Sequence, residues 1–527
     1  MNRDLPLQQI RDAGFRADVI VIGGGATGLG AALDAAARGY KTVLLEQHDF
    51  AKATSSRSTK LIHGGVRYLR QGKISLVRES LHERGLLLRN APHLVHQRNF
   101  VIPSYRWWHA PFYGLGLKAY DALAGQLRLG QSRFLSRTDT LAHLPTLRQT
   151  GLRGGILYLD AQFDDARLAI TLAQTLTDLG GLALNFVKVI AFQKSSGRIS
   201  GVRAVDIESG QEFAIQGRVV INATGVFATQ VARLDEPDSP DMLTTSQGIH
   251  LVFDRSALPG ESALMIPRTD DGRVLFALPW HGKTIIGTTD TPIAEPSLEP
   301  RALDEEVDYL LEHAHRYFTC KLHRSNTLSV FAGLRPLVNP GRTGRTASIS
   351  RDYFVTESQT GLVTVIGGKW TTYRKMGEAA VDRAQVVAGL TRRPCRTSEL
   401  HLHAWTDKPD PDDILGVYGA DAPILRDLIA AQPALGISLH QRLPYLMAQI
   451  LWAARHECAR TVEDVLARRT RALFLDARAS LESAPVVAQL LADELGRTAA
   501  WQQEQVQAYA KLALQYLPSV LDSRSPG

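Results

Sequence analysis

Apolar and polar positions divide this chain into two textures. Up to about residue 390, short β-branched runs alternate with glycine-rich turns, and 18–22, 41–45, 219–221, 275–278, 284–286 and 362–366 each predict a strand. Beyond Cys395, apolar residues recur at helical spacing over 443–456, 461–475, 485–495 and 502–517. Thr461 with Asp464 three residues on reads as an N-terminal cap, and Pro485 as a first-turn residue. A helical domain from about 396 onward follows, behind an exposed linker at 407–413.

Three of the predicted strands end in small or glycine-rich turns: Asn222-Ala-Thr-Gly225, Gly287-Thr-Thr-Asp290 and Gly367-Gly368. Parallel strands place ligands at their carboxyl ends, where these turns fall. The strand at 18–22 runs into Gly23-Gly-Gly-Ala26-Thr27-Gly28, followed by a small-residue helix over 29–38, a second strand and a lone acid, Glu46. This order is the dinucleotide fingerprint in its full setting. Gly23 permits the tight turn, Gly25 lets backbone approach a pyrophosphate, and Gly28 allows close helix–strand packing. The pyrophosphate would lie on unpaired N–H groups at the helix N-terminus, and Glu46 would accept from ribose hydroxyls. The fold expected is α/β: a discontinuous Rossmann-like dinucleotide domain (1–95, 161–235, 331–395) with an inserted mixed-sheet cap (96–160, 236–330) and an all-α C-terminal domain (396–527).

Composition narrows the setting. The 527 residues are 44% hydrophobic and 21% charged, ordinary for a globular chain. Cys320, Cys395 and Cys458 lie far apart, which disfavours disulfide scaffolds, zinc sites and iron–sulfur clusters and fits a reducing compartment. No secretory h-region opens the sequence, and no run of about 18 apolar residues predicts a membrane span. The net charge of +7 suits an anionic substrate or an anionic membrane face, and equally a merely basic surface; nucleic acid is not expected as a partner. The aromatic stretch 105–118, with Trp107, Trp108, Phe112 and Tyr113, reads as a buried helix of the cap; an interfacial helix is the alternative.

Later segments favour FAD over a nicotinamide. Ala53-Thr54-Ser55-Ser56-Arg-Ser-Thr-Lys60-Leu61-Ile-His63-Gly-Gly65 is crowded with hydroxyls and backbone donors suited to phosphates, ribityl chain and flavin edge. Ala223-Thr224-Gly225 supplies a second return to the cofactor. Gly367-Gly368-Lys369-Trp-Thr371-Thr372-Tyr-Arg-Lys375 follows a strand and opens a helix, whose N-terminal N–H groups would stabilise charge on a reduced flavin. No second nucleotide fingerprint is present.

These pieces, with Gly64-Gly65-Val-Arg67-Tyr68-Leu69, Asp164-Asp-Ala-Arg-Leu168, Gly333-Leu-Arg335-Pro336 and Ser350-Arg351-Asp-Tyr353, run in the order found in FAD-dependent glycerol-3-phosphate dehydrogenases, and the chain resembles that family over about 17–380 and in its helical tail. The resemblance implies oxidation of sn-glycerol 3-phosphate to dihydroxyacetone phosphate by hydride transfer to FAD, electrons leaving to a quinone. It further implies cytoplasmic protein on the inner face of the cell membrane, and a homodimer. Such chemistry needs an anion clamp and a base. Arg351 is assigned to the phosphate, Arg335 to the phosphate and the reacting hydroxyl, and Lys369 to the substrate oxygen beside the flavin. Arg67 and Tyr68 close the pocket. The alternative for each arginine is an ordinary ion pair. His250 is the preferred proton acceptor, against a purely structural histidine and against His63, whose loop points to flavin contact. An oxygen-reducing oxidase, an amine or amino-acid oxidase of similar fold, and a redox-silent flavoprotein are the competing functions.

Overall fold

The computed structural model describes residues 1–12, 14–69, 72–107, 109–269, 272–338, 353–410 and 412–518. Two sheets organise these residues. In the first, five parallel strands run in the order Leu362–Gly367, Glu212–Asn222, Arg16–Ile22, Thr42–Leu45, Leu182–Leu184. Tyr353–Glu357 adds antiparallel at one edge, and a meander of Val187–Ser195 and Arg198–Asp206 joins Glu212–Asn222. From Val19 to Ile22 the strand Arg16–Ile22 is apolar without a break because both its faces are covered there. Val19 and Val21 enter a core with the helices Ala26–Ala37, Asp165–Asp178 and Tyr373–Val387, while Ile20 and Ile22 enter a second core on the other face. The small residues of the fingerprint helix have a packing reason: a Cβ on Gly377 would lie 2.4 Å from the Gly30 carbonyl, so two helices cross almost backbone to backbone.

The second, ten-stranded sheet is mixed. Its axis is the long strand Leu243–Asp254, paired antiparallel with Ser329–Val338, Lys283–Gly287 and Thr291–Ile293; Val95–Ser104 pairs with Gly154–Phe163 further along. Leu61–Ile62 pairs with Gly154–Phe163 and so joins this sheet from within the segment 1–95. The expected boundary at 330/331 falls inside the strand Ser329–Val338, whose whole length pairs in the second sheet. Neither membership is a local property; both depend on partners about 80 to 100 residues away.

The helical tail packs on the second sheet, with Val252, Trp280, Ile285 and Phe331 joining a core of Val465, Leu473, Phe474 and Val487. Thr461 and Asp464 cap reciprocally: Asp464 N–H donates to Thr461 Oγ1 (3.1 Å) and Thr461 N–H to Asp464 Oδ2 (2.9 Å). Pro485 lies inside the helix Ala477–Leu495 rather than in its first turn. The start is set by Asp476, whose side chain accepts from Ala479 N–H at 2.9 Å, a cap nine residues before the proline. The aromatic stretch also departs from the buried reading. Helix His109–Leu123 buries Leu117 and Tyr120, but Phe112 and Leu115 point outward and Trp107 just before it is 77% exposed. Trp108 lies outside the described residues.

Candidate active site

Two cavities adjoin at the carboxyl ends of the parallel strands. The larger, about 370 Å³, is lined by Gly23, Gly25, Ala26, Thr27, Glu46, Thr54, Ser55, Ala223, Thr224 and Gly225. Its walls are backbone held tightly. Gly23 sits at φ +109°, a region L side chains rarely adopt, and a Cβ there would meet the Ala223 carbonyl at 2.7 Å. A Cβ on Gly28 would fall 1.8 Å from the Gly23 carbonyl oxygen; Gly28 does not line the cavity but lets the helix close on the turn. Ser55 Oγ accepts from Ala26 N–H (2.9 Å), tying the 53–65 loop to the helix N-terminus. Glu46 accepts from the N–H groups of Gly24 (2.7 Å) and His48 (2.8 Å), while burial raises its pKa. The turn at 222–225 is held by Asn222, whose side-chain oxygen accepts from the Thr224 hydroxyl at 2.7 Å.

The smaller cavity, about 220 Å³, is lined by Thr54, Leu61, His63, Tyr68, His250, Arg335, Gly368, Lys369 and Thr371. Thr54, Pro336, Gly368, Lys369 and Trp370 line both spaces and mark where they meet. Register explains how distant residues converge here: His250 is paired across the sheet with Gly287 on one side and Phe331 on the other, and Ser246 with Arg335. The His250 ring stacks on Phe331 with centroids 4.7 Å apart. Burial, then the charges of Lys60 and Arg335, push its pKa well below the ordinary histidine value, so the imidazole is neutral. Lys369 lies over the Tyr68 ring at 5.3 Å. The Arg335 guanidinium reaches Asp290 (3.3 Å), the Gln247 carbonyl (3.1 Å) and the Thr289 carbonyl (2.9 Å). Its ion pair with Asp290 is thus real, and it orients the guanidinium in the cavity wall.

The other predicted site residues divide. Thr371 Oγ1 accepts from His63 N–H at 3.3 Å. Thr372 turns its hydroxyl to the Lys369 carbonyl (3.3 Å), and Ser56 turns back to the Ala53 carbonyl (3.4 Å); neither lines either of these two cavities. The Lys60 ammonium stays outside both linings, bound to the Ser56 carbonyl and Asp165, each at 2.7 Å. For Arg67 only the backbone, in the turn Val66–Tyr68, is described. Arg351, with Asp352, lies outside the described residues. Arg57 and Thr59 line the smaller cavity without having been singled out in the loop 53–65; their neighbours in the motif were the only local signal. Phe100, Tyr158, Met265, Val274 and Phe276 give that cavity an apolar lobe.

The larger cavity fits a flavin adenine dinucleotide: glycines whose Cβ atoms would fill the cradle, an acid at the second strand, and a junction with a second space where a ring could meet substrate. Gly23, Gly25, Ala26 and Thr27 would hold its phosphates and Glu46 its ribose.

Comparison with known proteins agrees. The family described as FAD dependent oxidoreductase matches residues 18–374, and the C-terminal domain of alpha-glycerophosphate oxidase matches 358–505. The mitochondrial glycerol-3-phosphate dehydrogenase of Homo sapiens is 38% identical over 529 residues, covering 94% of this chain and 72% of the relative. Glycerol-3-phosphate dehydrogenase SDP6 of Arabidopsis thaliana is 38% identical, covering 90% and 82%. Among solved structures, the Bacillus halodurans glycerol-3-phosphate dehydrogenase complexed with FAD superposes with a TM-score of 0.79 at 29% identity over 99% of each chain. Its match runs through both sheets and the helical tail alike, so this chain belongs to the FAD-dependent glycerol-3-phosphate dehydrogenase family.

Proposed function

We propose that this enzyme oxidises sn-glycerol 3-phosphate to dihydroxyacetone phosphate and passes the electrons to a membrane quinone. One observation carries the reading: His250, Arg335 and Lys369 line a single small cavity that adjoins the dinucleotide cavity. Bound FAD supplies the acceptor for the hydride leaving C2. Neutral His250 takes the proton of the C2 hydroxyl, so that the alcohol loses one hydride and one proton. A dianionic phosphate entering beside the imidazole offsets Lys60 and Arg335 and raises its basicity when the proton must move. Arg335, oriented by Asp290, and Lys369 stabilise negative charge on the substrate, Arg335 with the bidentate geometry a guanidinium allows. Arg351 completes the anion clamp in this reading, and the apolar lobe keeps water from the reacting carbon. Anaerobic addition of glycerol 3-phosphate to the loaded enzyme should bleach the flavin absorbance; a spectrum unchanged under excess substrate would overturn the proposal.

The membrane half of the reading rests on helix His109–Leu123. Trp107, Phe112 and Leu115 are exposed together, with Arg106 and Lys118 on the same stretch, a pattern suited to the inner face of an anionic bilayer. Among the described residues no helix is long and apolar enough to cross a membrane. Wild type should float with anionic vesicles at low salt and the double change Phe112→Ser, Leu115→Ser should stay below; equal flotation of both removes this face from membrane contact. Exposed Ile424, Ile437 and Val486 on the helical domain offer apolar surface to a second copy, consistent with a homodimer.

A further inference from the structure

Behind His250 lies a buried cluster of which the reaction just described uses only the charge of Lys60. Lys60 is wholly buried, its ammonium within 5.1–5.3 Å of the Phe331, Trp280 and Phe474 rings. The Ser56 carbonyl accepts from Lys60 Nζ (2.7 Å) and from Arg471 Nη2 (2.6 Å), the latter arriving from the helical domain. Asp165 gathers the rest: one carboxylate oxygen accepts from Ser58 N–H (2.9 Å), Ser58 Oγ (2.7 Å) and Lys60 Nζ (2.7 Å), the other from Arg471 (3.2 Å). Arg471 itself sits at φ +62°, a strained backbone for a residue with a Cβ, and also donates to the Ala467 carbonyl at 2.7 Å.

Residues 56, 58 and 60 are therefore pinned by buried charge, and Thr59 lies between them. Its Oγ1 is 3.0 Å from His250 Nε2, and both residues line the substrate cavity. His250 Nδ1 is buried with no hydrogen-bond partner. A neutral imidazole carries one proton, and the hydrogen bond made by one nitrogen decides which of the two is left basic. We propose that Thr59 is a positioning residue whose hydroxyl, 3.0 Å from His250 Nε2, fixes the tautomer and orientation of the imidazole that takes the substrate proton, and that Arg471 lets the helical domain fix the turn carrying Thr59. The inference rests on His250 being the base. The charged groups facing His250 are Lys60 and Arg335; those facing Lys60 are Asp165, Asp164 and Arg471.

The test uses the full-length, FAD-loaded enzyme. Thr59→Val keeps the shape and removes the oxygen; it should lower kcat by about 10- to 100-fold with KM changed by less than about twofold, as loss of a residue orienting a catalytic group does. The imidazolium then loses an acceptor, so the acid limb of kcat/KM should move to lower pH, a shift that loosened packing would not produce. Thr59→Ser should restore both. Wild-type kcat and acid limb in Thr59→Val would overturn the inference. His250→Asn separates the two levels: normal turnover there defeats the reading of the base itself, whereas an inactive His250→Asn beside a normal Thr59→Val defeats only the role of Thr59. Arg471→Lys should lower kcat on its own and add little to Thr59→Val; multiplicative losses in the double variant would overturn the part given to Arg471.

Discussion

The two adjoining cavities share five lining residues yet are built by opposite means. The dinucleotide cavity leans on backbone: glycines at 23 and 25, with Gly28 behind them letting the helix close on the turn, the turn at 223–225 and helix N–H groups. The substrate cavity is made of side chains from strands that meet only through register, and each is held by a partner remote in sequence: Arg335 by Asp290, His250 by Thr59, Lys369 beside Tyr68. A backbone site tolerates few substitutions and fails by losing its ligand. A side-chain site tolerates many and fails by losing rate or affinity.

The sharpest way to break this contrast is Gly28→Ala. A single Cβ placed 1.8 Å from the Gly23 carbonyl must open the turn, so purified protein should carry almost no flavin, read from the 450 nm absorbance against 280 nm. Full occupancy would mean that the cradle yields. Next, His250→Asn should retain flavin and lose about 100-fold or more in kcat, with substrate KM little changed. A smaller effect is expected for Arg335→Lys, which keeps the charge but not the fork: KM should rise about tenfold, with a modest fall in kcat.

The smallest effect tests stability away from both cavities. His403, between Asp178 (2.7 Å) and Asp421 (3.0 Å), has its pKa raised to about 9 by hydrogen bonds to those carboxylates. A histidine whose folded pKa lies above its unfolded value contributes stability that is fully present below about pH 6.5 and is lost as pH rises through about 9. His403→Gln should therefore flatten the melting temperature between those limits, by less than about 3 °C, with kcat unchanged. A change in turnover would show that this pair communicates with the site.

Sequence and structure agree best where the signal is local. The run at 18–22 is buried on both faces, and an apolar β-branched segment between a polar entry and Gly23 can do little else. The cap at Thr461 and Asp464 spans three residues and was legible for the same reason. Pro485 misled because the true cap, Asp476, lies nine residues earlier and the helix accommodates the proline inside it. The strand Ser329–Val338 shows no local sign of which sheet it joins. Thr59 and Arg471 were illegible in principle: the hydroxyl meets a ring 191 positions away, and the guanidinium meets a carbonyl 415 positions away. Lys60 stands in the loop expected to bind the cofactor, but burial beside Asp165 turns it inward.

The crossing at Gly30 and Gly377 has a consequence for biosynthesis. The first β-α-β unit leaves the ribosome early, but the strand and helix that close its sheet and back its helix are translated some 330 residues later. Until then the nascent chain exposes one edge of Glu212–Asn222 and the small-residue face of Ala26–Ala37. The order of synthesis thus makes this fold a candidate client for chaperones that shield unpaired strands, and it places cofactor capture near the end of translation rather than its beginning.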